Sequence, residues 1–128
     1  HNNDIQLHGQ DLESLKIPLY TEVYEIDGPY FFGIANKFDD ISRRTQRGEQ
    51  KVRIIRMRKV SFIDSTGIHN LEQLHMRLQR DGIQLVLSGV NEKVFNTLDK
   101  AGLVSKIGRE NVRNHINGAL ERAAELVK

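Results

Sequence analysis

Residues 60–68 read Val-Ser-Phe-Ile-Asp-Ser-Thr-Gly-Ile, and the hydrophobic period of the chain changes at Asp64. Upstream, residues 52–57 and 60–63 are rich in β-branched and apolar side chains, the composition of a strand buried in a sheet. Downstream, Ile68, Leu71, Leu74 and Leu78 recur at spacings of three and four, which puts them on one face of a helix. The junction is therefore a strand-to-helix elbow with a polar tip. Asp64, Ser65 and Thr66 each carry an oxygen able to accept from the orphan amides of a first turn. Gly67 allows close approach to the backbone, and the aligned amides give the tip a partial positive charge suited to an anion. Asp64, Ser65, Thr66 and Gly67 form the candidate binding elbow; an ordinary N-cap is the competing reading of the same residues.

Around the elbow, strand and helix signals alternate. Residues 1–16 show no sustained periodicity and read as a linker or an expression remnant, leaving residues 17–128 as the domain. After Pro18, residues 19–26 read as a strand; Asp27, Gly28 and Pro29 make a turn, and residues 30–32 are a short second strand expected to pair with the first as a hairpin. Ile34, Phe38 and Ile41 then mark an amphipathic helix ending near Gly48. Residues 51–57 are apolar on both faces, as a central strand covered on both sides should be. The elbow helix closes at Asp81 and Gly82, and residues 83–87 form another strand. Asn91 can cap a helix whose buried stripe is Val94, Phe95, Leu98 and Ala101, with Gly102 in the left-handed position after it. Residues 103–107 are too short to assign. Asn114 is placed to cap the last helix, marked by Ile116, Ala119, Leu120, Ala123 and Val127. This order argues an α/β fold with right-handed βα crossovers, in which sites lie at the carboxyl ends of strands.

The 128 residues suffice for one domain with a real core. With no cysteine, disulfide and thiolate chemistry are excluded. No apolar run approaches the ~20 residues of a membrane span, and the N-terminus lacks the pattern of an export signal. His1, His8, His69, His75 and His115 include no pair four residues apart on one helical face, so no metal site is expected. Beside the Ser65 and Thr66 hydroxyls the local sequence offers no base, and phosphate-binding glycine motifs are absent, so neither catalysis nor a cofactor is expected. Tyr30, Phe31 and Phe32 are simpler as core than as a base-stacking surface, and nucleic acid is not an expected partner.

The net charge of +2 conceals a basic segment. Arg43, Arg44, Arg47, Arg56 and Arg58, with Lys51, Arg53 and Lys59, form a candidate basic surface for an anionic headgroup layer or an acidic protein, unless they are merely a solvated face.

Taken together, residues 62–68, Leu71 and Leu74, Gly82 before an apolar strand, Gly89-Val90-Asn91 and Ala101-Gly102-Leu103 resemble the STAS domain, named for sulfate transporters and anti-sigma factor antagonists. The resemblance covers residues 18–128. It implies a mixed sheet with right-handed βα crossovers and packed helices. In the antagonist branch a free-standing domain is phosphorylated on the hydroxyl residue before the motif glycine. Thr66 is the matching position here, with Ser65 its neighbour, and the chain carries threonine where many antagonists carry serine. In the sulfate permease (SulP) branch the domain is the cytoplasmic C-terminal part of a membrane anion transporter. Residues 23–32 with Ala35 and Phe38, and residues 55–60, look like that branch. The resemblance then implies a regulatory domain at the cytoplasmic face of the membrane, whose partners are the transmembrane domain of its own transporter and a cytoplasmic protein.

Overall fold

The computed structural model describes residues 16–27 and 50–128. The expected second strand at residues 30–32, its hairpin and the helix ending near Gly48 lie outside the described residues.

Strand β1 spans Thr21–Asp27, β2 Val52–Lys59 and β3 Gln84–Ser88, and these three pair in parallel in the order β1-β2-β3. β1 begins two residues later than the sequence suggests. Tyr20 has a left-handed φ of 59°, and its carbonyl accepts from the amides of Lys51 and Val52 at 2.8 and 3.1 Å. A residue in that conformation ends the extended run. The central strand β2 is buried from Val52 through Met57. Its alternating side chains feed two cores: Ile55 and Met57 on one face, Val52 and Ile54 on the other.

Helix α1 (Ser65–Arg80), α2 (Glu92–Lys100) and α3 (Leu103–Ile107) cover the first face, and α4 (Ile116–Leu126) covers the second, which makes three layers. Leu71, Leu74 and Leu78 of α1 and Val94 and Leu98 of α2 carry the larger core. Ala101, expected in that stripe, is exposed because it is already the C-cap of α2. Gly102 is left-handed as expected, with φ 82°, and opens α3, the stretch too short to assign from sequence. A 3-10 turn at Arg109–Asn111 follows, and Val112 then bridges in parallel to Leu87. α4 is capped by His115, whose side chain accepts from the Asn117 amide, and not by the expected Asn114. The helix starts one residue later than that reading requires.

Candidate functional site

The elbow begins where β2 stops. The Val60 amide donates to the Met57 carbonyl at 2.9 Å and turns the chain out of the sheet, so residues 60–63, expected to be strand, are a loop. Their apolar character has another cause: Val60 and Ile63 are 1% and 6% exposed and belong to the core around α1.

Asp64 follows in extended conformation and is itself the N-cap of α1. Its Oδ1 accepts from the Gly67 amide at 2.8 Å, and its carbonyl accepts from the Ile68 amide at 2.9 Å. Ser65, named by sequence as a capping neighbour, is the first helical residue and Thr66 the second. Both are exposed, whereas Gly67 is buried. An anion approaching this turn thus meets the carboxylate of Asp64 and finds the Gly67 amide engaged. What remains open is a surface: Ser61, Phe62, Asp64, Ser65, Thr66 and His69 are exposed, Phe62 with 43% of its area. Three hydroxyls, a carboxylate, a phenyl ring and an imidazole are offered to whatever approaches. A partner protein or a phosphorylating enzyme can use such a tip, and Phe62 is the residue the sequence reading passed over as strand.

One side chain holds the loop in place. Asn91 Oδ1 accepts from the Val94 amide at 2.7 Å, capping α2 as expected, while its Nδ2 donates to the Val60 carbonyl at 3.2 Å. A cap ordinarily serves its own helix; this one also ties the β3–α2 turn to the elbow. Asn91→Ala should therefore cost about 1–3 kcal/mol, the loss of a cap plus an unpaired carbonyl. Asn91→Asp keeps the cap and loses the tether, and chemical denaturation should place it between the parent and the alanine variant. Equal stability of the two variants would show that the tether contributes nothing.

The basic residues separate by burial. Arg56 is only 6% exposed and so is no part of a basic surface, contrary to the sequence expectation. It lies in register between Glu25 of β1 and Ser88 of β3, and all three are buried at the carboxyl ends of their strands. The β1–β2 register slips between Glu25 and Asp27, which lets two consecutive residues of β2 turn toward one carboxylate. Arg58 Nε meets Glu25 at 3.0 and 3.1 Å, and Lys59 Nζ lies 3.6 Å away. Arg58 stays partly exposed with its guanidinium so engaged, while Arg43, Arg44 and Arg47 lie outside the described residues. Glu25 was invisible as a partner because it stands 33 residues from Arg58 in the chain. Beyond the elbow, Val90, Glu92, Phe95, Val112, Arg113 and Asn114 line an open groove of about 400 Å³ at the carboxyl end of β3.

Residues 15–119 match the family model of the STAS domain. The chain is 32% identical over 100 residues to the probable sulfate transporter 4.2 of Arabidopsis thaliana, a match covering 69% of this chain and 15% of that protein. It is 28% identical over 95 residues to the putative sulfate transporter YvdB of Bacillus subtilis, covering 74% of this chain and 18% of that one. The chain thus spans less than a fifth of these relatives. Among solved structures, the sulfate transporter family protein from Wolinella succinogenes superposes with a TM-score of 0.80 at 37% identity, covering 90% of this chain and 93% of that one. The SulP transporter STAS domain from Vibrio cholerae superposes with a TM-score of 0.78 at 34% identity, covering 88% and 87%.

Proposed function

The chain belongs to the STAS domain family, and from that premise we propose that it is the regulatory and interaction domain of a SulP-type sulfate or anion transporter, acting at the cytoplasmic face of the membrane without catalysis of its own. The observation that carries this reading is the likeness, nearly end to end, to a SulP transporter STAS domain. The relatives named as sulfate transporters support it, since this chain matches only a small part of their length. No helix among the described residues is long and apolar enough to cross a membrane, so any anion path would belong to another part of such a protein. Its first partner would be the transmembrane domain of the same transporter, with a cytoplasmic protein as a second. Deleting residues 17–128 from the full-length protein should impair sulfate uptake or surface expression. Unchanged uptake and expression would overturn the regulatory role; a free-standing anti-sigma factor antagonist, the alternative reading, should instead capture an anti-sigma kinase in a pull-down.

The elbow is the surface we assign to partner contact, with Thr66 the acceptor if the domain is phosphorylated and Ser65 the adjacent hydroxyl. Both are exposed in the first turn of α1. There a phosphate gains about 0.3–1 kcal/mol from the helix dipole, and the nearby Asp64 charge offsets most of it. Thr66→Glu should accordingly leave the melting temperature within about 2 °C of the parent, while changing partner affinity or transport. Unfolding of the variant would make Thr66 structural, and no change in either quantity would remove the elbow from the interface.

A further inference from the structure

Helix α3 has five residues, too few to be stable alone, so its place on the domain depends on what it docks against. It is bracketed by Gly102 and Gly108, with φ of 82° and 104°, conformations that glycine adopts without strain. Leu103, Val104 and Ile107 insert into the larger core, and Lys106 pairs with Glu72 of α1. One helical turn beyond Glu72 stands His75. Its position, between Leu71 and Leu78 on the apolar face of α1, leaves it 6% exposed.

We propose that the Glu72, His75 and Lys106 cluster is an acid-sensitive latch, through which protonation of His75 releases α3 from α1. This inference does not rest on the transporter reading. The neutral imidazole suits a site from which water is excluded, whereas an imidazolium there would lie in the field of Lys106. The one carboxylate acting on it, Glu72, is already committed to Lys106. Two cations would then share one carboxylate, and the buried imidazolium would lose its hydration without gaining an anion of its own. β3, against which α1 also packs, carries no titratable side chain. The element that carries Lys106 is also the one with the least independent stability. That element is α3, hinged at its two glycines.

Burial and the Lys106 charge both hold the His75 proton affinity below the ordinary value of 6.5, and Glu72 opposes them only in part. A lowered folded-state value means that the closed form is favoured above about 6.5 and loses that advantage as pH falls toward the folded value. Between those limits the opening equilibrium should rise by up to about tenfold per pH unit. The partly exposed Glu72 carboxylate, held below its usual range chiefly by its hydrogen bond to Lys106, stays ionised through this window.

Amide hydrogen exchange on the intact chain at about pH 7.5 and about pH 5.5, corrected for intrinsic rates, tests the latch. The α3 amides should lose protection at the lower pH while β2 and β3 keep theirs, and His75→Gln should abolish the difference. Lys106→Gln removes a half-exposed cation; without its charge the closed-form proton affinity of His75 rises toward the ordinary value, so the pH response of α3 should shrink. Loss of protection shared equally by the sheet would overturn the proposal, as would an unchanged α3 response in His75→Gln. A titration of the His75 ring followed by NMR in the unmodified protein needs no variant. Titration at or above the ordinary value would also overturn it.

Discussion

Gly89→Ala is expected to destabilise the domain by about 2–5 kcal/mol, a large part of the 5–15 kcal/mol by which small domains are stable. Two independent costs meet at this position. The backbone is left-handed, with φ 68°, which strains any residue carrying a Cβ by about 1–2 kcal/mol. A Cβ there would also stand 2.8 Å from the Arg58 amide nitrogen and 2.9 Å from its Cα. Those are main-chain atoms of the central strand and cannot swing aside. Moving them would disturb the Arg58 contact to Glu25 and the approach to the elbow. Gly82→Ala supplies the control, because Gly82 is equally left-handed, with φ 75°, but a Cβ added there would meet nothing within 4 Å. It should lose only the strain. Urea denaturation of both variants separates the costs, and equal losses would show that the close approach to Arg58 is unimportant.

Leu71→Ala should be about as severe, costing about 2–5 kcal/mol and lowering the melting temperature by roughly 10–20 °C. Leu71 is fully buried in the core between α1 and the sheet, so truncation opens a cavity whose walls are the neighbouring strands and helices. Its value lies in contrast with Thr66→Glu. The two residues are five apart on one helix, one on the face that holds the fold and the other on the exposed tip. If Leu71→Ala melts with the parent, the core closes around the loss and α1 is less firmly seated than its burial implies. If it melts low while Thr66→Glu does not, stability and recognition occupy opposite sides of α1. Thermal melts of the two variants together decide this.

The periodicities of the sequence were sufficient to locate α1, α2, α4 and the three described strands, and to put the elbow at Asp64. They were sufficient because the 3.6- and 2-residue periods follow from local backbone geometry and need no knowledge of what lies opposite. The left-handed glycine at 102 was legible for the same reason, since the requirement is set by the residue's own φ. The motifs around the elbow also carried the family, which the comparisons bear out. Local rules failed where two stretches compete for one role. Residues 60–63 have the composition of a strand, yet the turn at Met57 takes them out of the sheet and leaves only their burial. Asp64, Ser65 and Thr66 were equally good caps on paper; the carboxylate of Asp64 alone sits one residue outside the first turn, where its oxygen faces the Gly67 amide. Charge was the least legible property. Arg56 and Arg58 read alike as basic residues, but one is buried in register with Glu25 and Ser88 and the other reaches Glu25 from the strand end. The Asn91 tether to Val60 spans 31 residues, and Lys106 reaches Glu72 across 34. Such pairings depend on strand register and on which helix covers which face, and those are decided only when segments distant in the chain compete for the same buried surface.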